Sequence, residues 1–213
     1  MFMRHLNFLD RCIIHLDQTL KTVLGPAISH RPYPAGDEPV MTLPASDRKL
    51  SARLMRVNHA GEISAQALYR AQALTARQTA NRKALQHAAE EENDHLAWCH
   101  QRLQELHSHP SYLNPVWYGG SFLIGLLAGL LGDPWNLGFV AETEKQVVMH
   151  LSHHLEKVSK QDIKTIKILL KMQEEELGHA TVAQTAGAAE LPEFIKVIMR
   201  ICSKVMTTTA AYV

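Results

Sequence analysis

The sequence predicts an all-α protein: a four-helix bundle with extra N- and C-terminal helices and an apolar insertion between two helical hairpins. Three observations carry this. Apolar residues recur at helical spacing through four long segments with no strand-like alternation. Proline and glycine punctuate the chain between those segments. And one pattern occurs twice, as Glu92-Asn93-Asp94-His95 and Glu176-Leu177-Gly178-His179. A carboxylate and an imidazole at this spacing share a helix face. Two such faces, joined by one glutamate from each of two further helices, supply the ligands of a dinuclear metal centre in a bundle core.

In chain order, residues of about 5 to 24 form a short amphipathic helix ended by Gly25-Pro26, and Pro32, Pro34, Gly36, Pro39 and Pro44 make the following stretch a linker. Residues 1–45 are thus an N-terminal helix and Pro-rich linker, and 46–213 the bundle domain. A helix from Ser46 or Asp47 to about Arg77 and another from Thr79 to about Leu106 should pack as an antiparallel pair. Asp133-Pro134 is an N-cap and first-turn signal for a third bundle helix running to about Lys160. A fourth covers about Gln161 to Ala186 and stops near Gly187. Pro192 opens a last helix to about Thr208, apolar enough at Phe194, Ile198, Ile201 and Val205 to pack on the bundle or touch lipid.

Between the hairpins no residue from 111 to 132 is charged, and 122–131 is a continuous run of apolar and glycine residues. A membrane-spanning helix needs about 20 apolar residues, so this run predicts an interfacial or buried segment instead of a span. Tyr112, Trp117, Tyr118 and Trp135 flank it, as rings at a headgroup level do. A core hairpin or helix crossover is the alternative.

A net charge of +1 gives no reason to expect nucleic acid as a partner. Cys12, Cys99 and Cys202 form no CxxC pair, which suits a reducing compartment and thiols used as core filler. The N-terminus is broken by charge every few residues, so an intracellular chain without a signal peptide is expected. Most of the 13 histidines, among them His5, His30, His107 and His109, lie among polar or loop-like residues and read as solvated.

An inward ligand must share its helix stripe with apolar or small residues. Glu92 does so with Leu85, Ala89, Leu96, Cys99 and Leu103, and Glu176 with Leu169, Met172, Ala180 and Ala183. Their neighbours Glu90, Glu91, Glu174 and Glu175 point to the side, toward solvent. Glu144 lies with Val140, Val147, Val148 and Leu151, whereas Glu142 shares a mixed surface with Lys145 and Gln146, so Glu144 is the ligand and Glu142 the runner-up. Glu62, on a stripe with Met55, His59, Ala65, Tyr69 and Ala73, is the only acidic residue between Asp47 and Glu90. Glu62 precedes Glu92 by 30 residues and Glu144 precedes Glu176 by 32, the mark of a duplicated helical hairpin. Four carboxylates neutralise two divalent ions, and oxygen-rich donors with one nitrogen per metal favour iron, or manganese, over zinc. His150, six residues after Glu144, lies about 120° off the ligand stripe and could hydrogen-bond a ligand only from the side.

These residues carry a family resemblance. Leu54-Met55-Arg56-Val57-Asn58-His59-Ala60-Gly61-Glu62, then Ala65-Gln66-Ala67-Leu68-Tyr69-Arg70, Phe139-Val140-Ala141-Glu142-Thr143-Glu144 and both Glu-x-x-His segments resemble the demethoxyubiquinone hydroxylases of ubiquinone biosynthesis, over roughly 46–213. The resemblance implies a ferritin-like di-iron monooxygenase that uses two iron ions and molecular oxygen to hydroxylate the ring of a polyprenylated demethoxyubiquinol. It implies peripheral attachment to the cytoplasmic face of the inner membrane in a bacterium, and other ubiquinone-biosynthesis proteins as candidate partners. Its six metal ligands fall on Glu62, Glu92, His95, Glu144, Glu176 and His179, and the uncharged insertion becomes the entry for a lipid-soluble substrate. Some members carry a tyrosine after the histidine matching His150, where this chain has Leu151; residues 1–45 match less clearly and receive no catalytic role. The rival reading is a ferritin-like ferroxidase or iron-handling protein without an organic substrate.

Overall fold

Helix starts and stops follow the chain's local chemistry. The computed structural model describes residues 8–25, 27–39 and 42–213, which form seven helices and no strand. They are α1 (Phe8–Leu24), α2 (Ala45–Thr75), α3 (Thr79–Glu105), α4 (Asn114–Leu130), α5 (Asp133–Lys157), α6 (Ile163–Thr185) and α7 (Glu193–Ala210). The start expected for α1 near residue 5, its stop at Pro26, and the Cys12 side chain lie outside the described residues.

Pro44 precedes α2 and Pro192 precedes α7, each with the extended backbone of a residue that hands over to a helix. Asp162 caps α6, its carboxylate accepting from Thr165 N at 3.0 Å. Asp133 behaves differently from its expected role. It is the first residue of α5, Gly132 takes the cap position at φ 102°, and the Asp133 carboxylate turns away to accept from Arg77 N, Gln78 N and Asn81. One buried aspartate thus satisfies donors exposed at the start of α3 and ties the first hairpin to the second.

The bundle consists of the α2–α3 and α5–α6 hairpins, the latter closed by α3 against α6. Cross-hairpin packing forms two apolar layers. Met55, Trp98, Leu103, Leu151, Ile168, Leu169 and Met172 fill one end, and Leu68, Tyr69, Leu85, Val140 and Ala183 the other. Along α2, Glu62 falls between Met55 and Tyr69, which places the acidic residues between the layers. Cys99 is core filler as expected, but Cys202 is exposed.

The insertion is a 17-residue helix, α4, laid along α2. It combines both readings of that segment. Tyr118, Gly125, Ala128 and Gly129 are buried, while Leu123, Leu127, Leu130 and Leu131 are exposed. Gly125 and Gly129 create the contact: a Cβ at Gly125 would stand 2.5 Å from the Leu68 carbonyl oxygen, and one at Gly129 would overlap Thr75. Gly125→Leu should therefore pry α4 from α2 and cost about 1–3 kcal/mol in a denaturant melt, the usual penalty for overpacking. α7 crosses α2 and α5 and leaves Phe194, Ile198, Ile201 and Val205 exposed. No helix among the described residues is long and apolar enough to cross a membrane.

Candidate metal centre

Each bundle helix brings acidic residues to the middle of the core: α2 Glu62, α3 Glu92 with His95, α5 Glu144, and α6 Glu176 with His179. One donor atom from each of Glu62, Glu92, His95 and Glu176 lies within 4.8 Å of the others, and the same holds for Glu92, Glu144, Glu176 and His179. Glu92 and Glu176 belong to both groups. The geometry is therefore two adjoining four-donor positions that share two carboxylates. Glu142, the runner-up to Glu144, stays outside and accepts from Gln146.

The two imidazoles are placed alike. His95 Nδ1 lies 3.1 Å from Glu92, 3.3 Å from Glu176 and 3.7 Å from Glu62. His179 Nδ1 lies 3.2 Å from Glu176, 3.5 Å from Glu92 and 3.6 Å from Glu144. The outer nitrogens meet two residues that the sequence reading assigned to solvent. His95 Nε2 is 2.7 Å from Glu175, and His179 Nε2 is 2.9 Å from Glu91. Each carboxylate reaches across to the other hairpin and fixes the orientation of an imidazole whose inner nitrogen faces the cluster. Glu90 and Glu174 are exposed, as expected.

Tyr69 is a further functional residue that its stripe alone disguised. Its hydroxyl donates to Glu144 Oε1 through a very short contact, fully buried. Burial and the neighbouring Glu144 push the phenol well above its ordinary range, so it remains a donor. Tyr69→Phe should free that carboxylate oxygen and weaken metal binding about 10- to 100-fold at one position, read by competition with a chelator.

His150 does not reach the cluster. It packs on His154 with ring centroids 3.9 Å apart, its Nε2 has no hydrogen-bond partner, and burial pulls its pKa down to about 4, so the ring is neutral. The side-on hydrogen bond that the sequence allowed it is not made, since its angular offset from Glu144 on α5 leaves it beside the donors.

The donor set suits divalent metal. Burial and the Glu92 charge raise Glu62, and burial and the Glu176 charge raise Glu144, toward their neutral forms. Burial opposes ionisation of Glu92 and Glu176 too, yet the His95 and His179 imidazoles overcome it and hold both below the usual range. Burial would likewise discharge His95 and His179, but the surrounding carboxylates raise both. Without an ion, protonation is thus favoured on Glu62, Glu144, His95 and His179. Two divalent ions replacing the protons on Glu62, Glu144, His95 and His179 leave the buried charge unchanged. Glu92 Oε1, fully buried, makes no hydrogen bond and offers a lone pair to such an ion. The sign for pH follows: the raised groups hold protons that metal must displace, so affinity should fall as pH falls. Calorimetry in buffers of differing ionisation enthalpy should show proton release on metal uptake, up to four per protein, with weaker binding at pH 6 than at pH 7.5.

A cavity of about 710 Å³ ends on Glu62, Glu144 and Glu176. Its walls are Leu68, Val116, Trp117 and Ile124 on one side and Ile195, Ile198, Ile201, Cys202 and Val205 on the other, with His150 and Phe139 between. Such a volume and lining suit a mostly apolar organic molecule.

Antiparallel helices that gather four carboxylates and two imidazoles beside an apolar cavity define a ferritin-like bundle with a candidate dinuclear centre. Residues 49–210 match the model of the family described as Ubiquinone biosynthesis protein COQ7, and the chain belongs to that family. It is similar to a protein of Nitrosococcus oceani, 56% identical over 99% of each chain. It is also similar to one of Legionella pneumophila, 53% identical over 99% of this chain and 100% of the relative. A third, from Nitrosomonas europaea, is 50% identical over 96% of this chain and 99% of the relative. All three relatives are named 3-demethoxyubiquinol 3-hydroxylase.

Proposed function

We propose that this chain is a 3-demethoxyubiquinol 3-hydroxylase: a monooxygenase that adds a hydroxyl group to the ring of a polyprenylated demethoxyubiquinol, using two iron ions and molecular oxygen. The observation that carries the reading is the apolar cavity whose inner end is formed by Glu62, Glu144 and Glu176. A protein that only oxidises and stores ferrous ion has no use for such a chamber.

Glu62, Glu92, His95 and Glu176 would hold one iron and Glu92, Glu144, Glu176 and His179 the other, with Glu92 and Glu176 common to both groups. Bound iron supplies the redox chemistry that activates oxygen for transfer to an electron-rich ring. The protein's own residues do the remaining work. Glu91 and Glu175 orient the two imidazoles, and Tyr69 fixes Oε1 of Glu144. Leu68, Phe139, Val147 and Leu151 line the cavity near the cluster and exclude water there. His150, neutral and lining the same cavity, is placed to hydrogen-bond a quinol oxygen and orient the ring. The prenyl tail would run between α4 and α7, where the walls are aliphatic.

The outer surfaces of those helices support peripheral attachment to a bilayer at the cytoplasmic face of the cell membrane. Leu123, Leu127 and Leu130 on α4 and Phe194 on α7 are exposed apolar side chains outside the cavity lining, and such side chains favour a lipid or protein contact. Other ubiquinone-biosynthesis proteins would meet the same surface.

The test is turnover of a short-chain demethoxyubiquinone analogue by iron-loaded protein with a reductant and ¹⁸O-labelled oxygen gas, read by mass spectrometry. Label in a hydroxylated ring supports the reading. Ferrous iron consumed with no labelled ring product, while the analogue demonstrably binds, favours the iron-handling alternative. Partition onto liposomes without detergent tests the attachment separately.

A further inference from the structure

We propose that Arg31, from the segment preceding the bundle, is a positioning residue that locks the orientation of His95 through Glu175 and so makes the two metal positions unequal. The inference rests on the dinuclear reading above. Arg31 lies outside the stretch matched by the family model, 49–210.

Residues 29–31 are latched to α3 by Asp94, the residue directly before the donor His95. Its carboxylate accepts from Ser29 Oγ at 3.1 Å, His30 N at 2.7 Å and Arg31 Nε at 2.5 Å. Trp98 Nε1 donates to Ser29 Oγ at 3.2 Å, and the Arg31 guanidinium lies 4.9 Å from the centre of the Trp98 rings. That indole in turn packs 5.3 Å from the His95 ring. So held, Arg31 spans two helices: Nη1 donates to Glu175 Oε1 on α6 at 2.7 Å, and the other oxygen of the same carboxylate accepts from His95 Nε2 at 2.7 Å. Lys171 also approaches Glu175 Oε1, at 3.2 Å. A carboxylate engaged at both oxygens has one orientation, and the imidazole bonded to it has one as well.

The other metal position is built without this device. Glu91 bonds His179 as Glu175 bonds His95, but its further partner is His87, an imidazole whose side chain is 70% exposed and which contacts the same Oε2. Among the described residues no arginine pins it. Glu91 is also twice as open to solvent as Glu175, 28% against 13%. A fixed carboxylate backed by a cation orients its histidine firmly while sharing its negative charge with the guanidinium. A solvated one does neither to the same degree. The near-twofold cluster therefore has one stiff and one compliant histidine, and the strap that stiffens it comes from residues otherwise without a part in the site.

The deciding experiment is anaerobic calorimetric titration of the full-length, metal-stripped protein with Co²⁺, comparing wild type, Arg31→Ala, Glu175→Gln and the double variant. Two equivalents should bind the wild type. Arg31→Ala should lower the affinity for one of them about 10- to 100-fold and leave the other unchanged. Because Arg31 acts through Glu175, the double variant should be no weaker than Glu175→Gln alone. Arg31→Gln, which keeps the stem against Trp98 and drops the charge, gives the same reading if the alanine variant does not fold. Additive losses, equal weakening of both equivalents, or an unchanged isotherm would each overturn the proposal and leave Arg31 as a clamp on the N-terminal segment. Failure of the wild type to bind two equivalents is a different result: it removes the dinuclear reading itself, and the inference with it.

Discussion

Glu176→Ala should strip the protein of both metal equivalents and of all quinol hydroxylation. Glu176 is one of two residues common to the two donor groups, and its carboxylate stands 3.3 Å from the His95 ring and 3.2 Å from the His179 ring. Removing it leaves three donors at each position, and removes a negative charge that the two buried imidazoles require. Glu62→Ala and Glu144→Ala each touch one group only and should lower the retained metal toward one equivalent. Elemental analysis after gel filtration reads the difference. Two equivalents retained by Glu176→Ala would mean that this carboxylate is not shared.

The second large effect separates substrate from metal. Gly61 sits on α2 beside Glu62, lines the cavity, and has no atom within 4 Å of the place a Cβ would occupy. A side chain there starts in open space and from a residue that lines the cavity next to Glu62. Replacing a helical glycine also raises helix propensity, by up to about 1 kcal/mol. Gly61→Leu is therefore expected to fold at least as well as wild type, hold two metals and oxidise ferrous ion, yet lose about 10²-fold or more in quinol turnover, the scale at which a displaced substrate fails. Undiminished hydroxylation would place the ring elsewhere and remove the cavity from the mechanism.

Much of this was legible in the residues. Glu62, Glu92, Glu144 and Glu176 share stripes with apolar neighbours, and a face is a property of one helix, so sequence alone could bring them to the core. Glu91 and Glu175 were assigned to solvent for the same reason. One residue from an inward position on its own helix, each looks lateral, and only the rotation of α3 against α6 turns it onto the other hairpin's histidine. The doubled Glu-Glu pair, 91-92 and 175-176, was the available signal. Gly125 and Gly129, four residues apart, are legible only as members of an apolar run, though that spacing is what lets α4 approach α2. Arg31 left no periodic trace because its segment is irregular. Asp133 satisfied a local cap rule but serves a helix distant in sequence, and Cys202 shows that a thiol on an apolar helix need not be core.

Crossed carboxylates give the cluster a symmetry of its own. Each hairpin orients the other hairpin's imidazole, so the two halves of the cluster are built alike and neither hairpin alone can present a finished histidine. By its six donors alone such a cluster would not tell one half from the other. Direction must come from what breaks the symmetry. α4 covers one flank of α2 with no counterpart on α5, α7 follows only the second hairpin, and the strap at 29–31 engages only one histidine. A duplicated hairpin thus acquires a direction through three unpaired additions: two of them, α4 and α7, wall the cavity beside the carboxylates, and the third, the strap, tells one histidine from the other.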